Sequence, residues 1–311
     1  MSEKASKSPS LEQQKISLLA LVAQSDKNGI RDFFAAMHPA DAAILVSQLL
    51  KREQKVLFGL LNASQAADVV EELEPAEQVQ VVSDMAPEQA SDLVEQMESD
   101  KGVDLLQDLS PELSEALLRL MKPEEAAQAR ALLVYPEESA GGLMAKEFIA
   151  IPSGVTVREA IAHLQGRVEE LEAYPISYLY ALNGGGRLAG VVRSRDLILK
   201  DPAQKLQAIM ISKPITVAPA ASLAEVQALF DQYHLLALPV VDAEGKMLGL
   251  ISQSEVMERM HREAGKGLLR FMGITGGEEY RDMPFSFRVY HRLPWLVVNI
   301  FLNLLSDSVI A

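Results

Sequence analysis

The chain has 311 residues, of which 49% are hydrophobic and 23% charged, and it contains no cysteine. This composition is that of a globular protein with room for two or three domains, and it excludes a disulfide scaffold, thiolate zinc sites and a cysteine nucleophile. The net charge of −14 argues against nucleic acid as a partner. The polar N-terminus has no apolar stretch behind it, so no signal peptide is expected.

The first part of the chain repeats a short helical segment at multiples of twelve residues. Five positions at this spacing carry proline and a sixth carries serine: Pro39, Pro75, Pro87, Ser99, Pro111 and Pro123. Acids and then Leu, Val and Met at helical spacing follow, which suits the first turn of a helix and its apolar stripe. Helices of about ten residues cannot bury that stripe alone, so neighbours must stack. The pattern predicts an all-α superhelical domain over residues 1–134.

The same region carries an uneven charge. Residues 61–110 hold 13 Asp and Glu but one basic residue, Lys101. Such a cluster is either a solvated helix face or a surface that cations neutralise. Composition leaves both interpretations open.

The middle of the chain contains two matching stretches. "NGGGRLAGVVRSRDLI" (183–198) aligns with "DAEGKMLGLISQSEVM" (242–257), with Asp196 over Glu255. Each stretch is preceded by a strand, and that strand is preceded by a helix. The helix opens at Thr156 in the first copy and at Ser222 in the second. The order helix, strand, glycine turn, strand, helix therefore occurs twice and predicts an α/β tandem pair.

This repeat resembles the cystathionine-β-synthase (CBS) domain, which forms pairs about a pseudo-twofold axis. In that family the cleft can bind adenine nucleotides, with an acid at the start of a helix holding the ribose. The resemblance makes Arg195 and Asp196 the nucleotide-binding candidates. Arg193 stands where the family usually has Ser or Thr, whereas Ser252 keeps that residue type in the second copy. A pair that binds no ligand and only transmits movement is the alternative.

The chain ends in an apolar run. Residues 293–311 number 19, about the minimum for a membrane-spanning helix, and basic residues just before them predict a cytoplasmic N-terminal side. Asn299, Asn303 and Asp307 lie on one helix face, which favours contact with other helices over contact with lipid. We interpret the run as a first membrane helix whose partners would follow, so the chain looks truncated.

The order of these parts resembles the MgtE family of magnesium channels, from about residue 30 onward. The most specific motifs are "SAGGLM" (139–144), "LLALPVVD" (235–242) and "RLPWLVVN" (292–299). The resemblance implies a multidomain fold, in which an all-α superhelical domain is followed by an α/β tandem CBS pair. The expected segments are an N-terminal helical domain at 1–134, CBS domains at 135–200 and 201–263, a connecting "plug" helix at 264–291 and a membrane helix at 292–311.

The resemblance also implies a function. The chain would be the cytoplasmic Mg²⁺-sensing and gating region of a channel that closes when intracellular Mg²⁺ is high. It would act as a homodimer in a bacterial inner membrane, with residues 1–291 facing the cytoplasm, and bind Mg²⁺ and an adenine nucleotide such as ATP. The implied metal ligands are Asp68, Asp100, Asp104, the carbonyl of Gly142, Glu255, Glu258 and Glu263. Oxygen ligands of this kind suit Mg²⁺.

The sequence leaves one alternative to a channel region open and argues against another. A membrane-tethered or soluble CBS sensor would bind Mg²⁺ or an adenine nucleotide without a pore of its own. An enzyme is not expected, because the sequence has no glycine-rich phosphate loop, nucleophile elbow or metal-binding histidine spacing.

The sequence departs from the family near the plug. "EAGKG" replaces two family acids with Lys266 and Gly267, and family acids of the second CBS copy fall on Ser222, Ala224 and His234. Magnesium sensing is therefore expected to be weaker, or concentrated where the helical domain meets the CBS pair. Glycines around Lys266 would make the plug helix less rigid. Glu255 matches both the nucleotide motif and a metal position, and we favour the metal.

Overall fold

The computed structural model of the chain describes residues 10–171, 174 and 177–271, without the side chains of 169, 170 and 265–271. The chain divides into two compact units, Met1–Ser252 and Gln253–Ala311. The predicted membrane helix lies outside the described residues. Within the described residues, none of the helices is both long enough and apolar enough to cross a membrane.

Short helices fill the described residues from 11 to 132. Their bounds are α1 (Leu11–Gln24), α2 (Lys27–Ala35), α3 (Pro39–Ser47), α4 (Lys51–Phe58), α5 (Ala63–Glu71), α6 (Pro75–Ser83), α7 (Pro87–Val94), α8 (Ser99–Asp108), α9 (Pro111–Leu120) and α10 (Pro123–Leu132). Each of the five predicted prolines is the first residue of its helix, and Ser99 is the first residue of α8. The proline pattern therefore located six of these helix starts correctly.

The stacking of these helices follows from their shared apolar stripe. Helices α3, α5, α7 and α9 pack in succession, and α6, α8 and α10 form a second succession beside them. Leu and Val side chains from both rows are buried, among them Leu93 and Leu117 in the first row and Val82 and Leu105 in the second. The predicted all-α domain of stacked helices is confirmed.

Two α/β repeats follow. The first comprises β1 (Ala150–Pro152), α11 (Val157–Gln165), α12 (Val168–Leu171), β2 (Tyr178–Leu182), β3 (Leu188–Arg193) and α13 (Ser194–Leu199). The second comprises α14 (Leu206–Ile209), α15 (Leu223–Tyr233), β4 (Ala237–Val241) and β5 (Met247–Ser252). β2 pairs antiparallel with β3, and β4 with β5, as the glycine turns predicted. β1, which runs parallel to β2, was not predicted.

The repeats begin their first long helix in the same way. Thr156 caps α11 and Ser222 caps α15, each in a reciprocal capping box with the glutamate three residues on, Glu159 or Glu225. These hydrogen bonds hold the pKa of both glutamates below the usual range. Both helix starts agree with the sequence analysis.

The repeats also exchange backbone hydrogen bonds. Ala145, ahead of β1 in the first repeat, pairs with Leu250 on β5, and Ile211, ahead of α15 in the second, pairs with Val191 on β3. Gly249 and Gly190 allow these approaches, since a Cβ on either would lie within 2.8 Å of the crossing backbone. Tyr180, Val191, Met247 and Leu250 form an apolar cluster that joins the two sheets. The predicted α/β tandem pair is confirmed.

The second unit begins with one long helix. α16 (Gln253–Phe271) has 19 residues. It runs across the boundary predicted at 263–264 and through the "EAGKG" stretch without a break, and the rest of the predicted plug segment lies outside the described residues.

Candidate cation and nucleotide sites

The helical domain contacts the CBS pair through a serine at the start of α8. The Ser99 hydroxyl donates to Glu147 Oε2 at 2.8 Å and accepts from the Lys146 backbone amide, also at 2.8 Å. A proline at this position would fit the helix but would have no hydroxyl to make either bond. The one serine in the proline repeat thus connects α8 to the segment leading into the first CBS domain.

The same segment is held from its other side by β5. The Lys146 ammonium donates to the Leu248 carbonyl, and Ala145 and Leu250 exchange two backbone hydrogen bonds of 2.8 and 2.9 Å. Burial lowers the pKa of Lys146 below its usual value. Residues 145–147 therefore join the helical domain to the second CBS domain.

Two predicted metal ligands lie on α8 next to this contact. Asp100 directly follows Ser99 and is buried, with only 6% of its surface exposed, and Asp104 is half-buried one turn later. The spacing of four residues puts both carboxylates on one face of the helix. Asp100 Oδ1 accepts a hydrogen bond from the Lys101 amide at 2.9 Å.

A second group of acids lies on α5 and at the cap of α8. Glu71 Oε1 accepts from the Glu98 backbone amide at 2.6 Å. Burial, with repulsion from Glu98 and Asp68 as a smaller contribution, raises the pKa of Glu71 to about 7. Partial burial also raises the pKa of Asp68. A nearby cation would relieve this repulsion and favour the ionised carboxylates.

The raised pKa of Glu71 has a measurable consequence for stability. Between the ordinary carboxyl pKa of 4.5 and about 7, the folded chain binds more protons than the unfolded chain. Stability therefore falls as the pH rises through this window. Glu71→Gln keeps an acceptor for the Glu98 amide but cannot ionise, so we expect urea unfolding to show a flatter pH profile. Glu72→Gln, at an exposed neighbour, should leave the profile unchanged, and an unaltered profile for Glu71→Gln would contradict the assignment.

The remaining predicted ligand of the first unit is a backbone carbonyl. Gly142 is buried, and its amide donates to the Ser139 carbonyl at 2.9 Å and hydroxyl at 3.2 Å. A Cβ here would lie 2.3 Å from the Pro136 carbonyl oxygen. Only glycine fits, so the path of the backbone at this point is fixed by sterics.

The other predicted ligands belong to the second unit, where arginines pair with them along α16. Glu258 bonds Arg262 at 2.8 Å, and buried Glu255 lies 3.5 Å from Arg259. Glu263 is half-buried on the same helix. Both arginine pairs have the i, i+4 spacing that is favourable on a helix. A cation at Glu255 or Glu258 would therefore compete with an arginine.

The donor chemistry of both units suits Mg²⁺, because every candidate ligand is an oxygen atom. Within the described part of the chain, however, no three His, Asp or Glu side chains converge closely enough to hold a metal ion. The seven predicted metal ligands therefore stay predictions.

The candidate nucleotide residues lie at the start of α13. Asp196 is buried, and its Oδ2 accepts a 2.8 Å hydrogen bond from Arg193 Nε. Its other oxygen, Oδ1, is 4.0 Å from Arg195 Nε, and the Arg195 side chain is 67% exposed. The structure thus brings the two predicted residues together and adds Arg193, which the sequence analysis treated only as a departure from the motif.

Sequence reasoning also missed Ser99, Lys146 and Glu147 as contact residues. The signal for Ser99 was present, because it interrupts a run of prolines at 75, 87, 111 and 123. The partners gave no such signal, since they lie 47 and 48 residues away along the chain.

Together, these features define a class of protein in which an acidic helical domain contacts a tandem CBS pair. Family models agree: the MgtE intracellular N domain matches residues 37–138, and the CBS domain matches 140–202 and 206–262. A solved structure of the cytosolic domain of the Mg²⁺ channel MgtE in complex with ATP is 31% identical, with a TM-score of 0.72. The match covers 79% of this chain and 99% of that one. The chain belongs to the MgtE family.

Two further relatives agree with this membership. The soluble part of a magnesium transporter matches with a TM-score of 0.77 and 28% identity, over 82% of this chain and all of that one. The magnesium transporter MgtE of Bacillus subtilis is 32% identical over 194 residues, 62% of this chain and 42% of that protein. The chain therefore spans about two-fifths of the length of this curated relative.

The expectation that the chain is not an enzyme is also confirmed by these relatives, which are transporters or parts of them. Enzymes do occur among weaker matches. The inosine-5'-monophosphate dehydrogenase of Nitrosopumilus maritimus is 24% identical over 129 residues, which cover only 26% of that enzyme. This similarity is that of the CBS domains alone.

Proposed function

We propose that this chain is the Mg²⁺-sensing and gating region of a magnesium channel. The observation that carries the proposal is the match over 99% of the cytosolic domain of the Mg²⁺ channel MgtE. We further propose that the full protein acts as a homodimer in a bacterial inner membrane, with residues 1–291 on the cytoplasmic side. The family membership supports both statements.

The proposed sensing rests on carboxylates that repel one another when the cation is scarce. Asp100 and Asp104 lie on one face of α8, immediately after the serine that contacts the CBS pair. A cation bound by these acids, with Asp68 and the Gly142 carbonyl as further ligands, would favour the conformation in which α8 stays on residues 145–147. The ion shifts the population because its affinity differs between the two conformations.

A second set of ligands is proposed on α16. The family resemblance assigns Glu255, Glu258 and Glu263 to this set. Because Arg259 and Arg262 already pair with two of these acids, Mg²⁺ must displace an arginine there. Because Lys266 and Gly267 also replace two family acids on the plug side, we propose that Mg²⁺ sensing is concentrated where the helical domain meets the CBS pair.

Limited proteolysis of the 311-residue chain in mild detergent tests the sensing. We expect Mg²⁺ to slow cleavage between the helical domain and the CBS pair by about tenfold, since cleavage follows the population of the open form. Asn at positions 100 and 104 keeps the size of the side chains but removes both charges, so Asp100→Asn/Asp104→Asn should need about tenfold more Mg²⁺ for equal protection.

Asp32→Asn is the matched control, because Asp32 is an exposed acid on α2. It should respond like the unchanged chain, and NaCl at equal ionic strength should give no protection. An absence of protection with Mg²⁺ in the tens of millimolar would refute the sensing role.

A tethered or soluble sensor without a pore is the alternative function. The two differ in the mass of the native protein. A membrane species heavier than 34.0 kDa is expected for the channel, and one of 34.0 kDa would favour the tethered sensor.

We also propose that the first CBS domain binds an adenine nucleotide, with Asp196 on the ribose and Arg195 on the phosphate. The buried carboxylate and its exposed arginine neighbour support this assignment. The related cytosolic domain solved in complex with ATP supports the choice of ligand. Titration of ATP into the 311-residue chain tests the assignment, and an absence of binding would contradict it.

A further inference from the structure

Arg193 lies on the face of the first sheet that carries the contact between the two CBS copies. On β3 it stands opposite Tyr178 of β2, two residues beyond Val191, which is opposite Tyr180. Residues two apart on a strand share a face. Val191 and Tyr180 pack against Met247 of the second copy on that face. The backbone of Arg193 therefore lies at the edge of the contact between the two CBS copies.

From this position Arg193 reaches the buried acid at the start of α13. Its Nε is 2.8 Å from Asp196 Oδ2. The Asp196 side chain is 9% exposed, whereas that of Arg193 is 41% exposed. A charge-assisted bond to a carboxylate of low exposure is stronger than one in open water, because fewer water molecules compete for the partners. Because Asp196 Oδ2 already accepts from Arg193 Nε, a second donor cannot bond this oxygen from the same direction.

The second copy has a different pair at the equivalent register. There Ala237 stands opposite Ser252, where the first copy has Tyr178 opposite Arg193. A serine is too short and carries no charge to form such an ion pair. The arginine is therefore a feature of the first copy, and Arg193→Ser would give that copy the residue of the second.

On the assumption that the nucleotide proposal above holds, we propose that Arg193 makes the first CBS cleft select nucleoside phosphates over nucleosides. A ribose hydroxyl that approaches Asp196 Oδ2 from the side of Arg193 Nε displaces the Arg193 guanidinium. A phosphate offers that guanidinium new oxygen acceptors, so the ligand replaces the ion pair it breaks. A nucleoside offers none, so it breaks the charge-assisted bond between Arg193 and Asp196 without replacing it. Arg193 is then a specificity-determining residue, distinct from Arg195.

Calorimetric titration of AMP and adenosine into the 311-residue chain tests this proposal, because the two ligands differ only in the phosphate. We expect the unchanged chain to bind AMP more tightly by about thirtyfold or more, a typical size for a charge-assisted contact. In Arg193→Ser, adenosine should bind about tenfold more tightly than before and AMP more weakly, so the ratio should fall to a few-fold. Arg158→Ser, at an exposed arginine of α11, controls for the change in net charge and should keep the original ratio.

The possible outcomes are distinguishable. An unchanged ratio in Arg193→Ser, or an equal weakening of both ligands, overturns the role of Arg193 while nucleotide binding itself stands. If neither chain binds ATP, AMP or adenosine, the nucleotide proposal fails and this inference fails with it. Thermal unfolding of the variant, with Arg193→Lys as a milder second variant, separates loss of recognition from loss of folding.

Discussion

Replacing Gly249 by alanine is expected to lower the free energy of unfolding by about 1–3 kcal/mol, the usual range for overpacking. The new Cβ would lie 2.6 Å from the Ala145 carbonyl oxygen and 3.1 Å from two atoms of the Met144 side chain. The carbonyl cannot move aside, because it accepts a 2.9 Å hydrogen bond from the Leu250 amide. The flexible Met144 side chain could move away from the new Cβ, but the Ala145 carbonyl oxygen lies nearer to it.

Gly154→Ala is the matched control for this substitution. A Cβ at Gly154 meets no atom within 4 Å, and its φ is not in the left-handed region. Alanine there should be neutral, or stabilising by about 0.5 kcal/mol through the unfolded chain. Urea unfolding of both variants gives the comparison, and equal stabilities would show that the Ala145 crossing can relax.

Replacing Ser99 by proline is expected to release the helical domain while leaving α8 intact. Proline occupies the same helix position in α3, α6, α7, α9 and α10, so the helix should tolerate it. The change removes the hydroxyl, which leaves the Lys146 amide without its acceptor and Glu147 without a donor. Losing partners at a half-buried contact costs about 1–3 kcal/mol, so cleavage between the domains should become about tenfold faster in Mg²⁺-free buffer.

The controls separate the contact from the helix. Circular dichroism should show unchanged helix content in Ser99→Pro, and Ser99→Ala should show the same faster cleavage. Ser47→Ala should have no effect, since the Ser47 hydroxyl bonds the Ile44 carbonyl of its own helix. Slow cleavage in both Ser99 variants would mean that other contacts hold the domains together.

Local rules explain which parts of the fold could be predicted. Proline at a first helical position and a Ser or Thr cap three residues before a glutamate act within one turn, so Pro75, Pro111, Thr156 and Ser222 revealed their helix starts. The glycine turns acted in the same way for the strand pairs. β1 escaped prediction because it has three residues and depends on β2, which follows 26 residues later.

The candidate sites were less predictable because they depend on partners distant in sequence or on competition for one acid. Spacing placed Asp100 and Asp104 on one helix face, but no local rule indicates that Ser99 would bond Glu147. The motif singled out Asp196 but not the arginine that pairs with it. Family patterns record which residue type is usual at a position, and they do not record what an unusual residue contacts.

The crossing of Ala145 over β5 and of Ile211 over β3 has a consequence for how such a pair can be inherited. Each copy relies on a segment encoded just ahead of the other for covering an outer strand edge. A single copy excised at residue 200 would expose that edge, and open edges recruit foreign strands. Recombination that moved one copy alone would therefore produce a domain with an exposed, aggregation-prone strand edge. Both edges are covered only when the two copies stay together with the residues that precede the first.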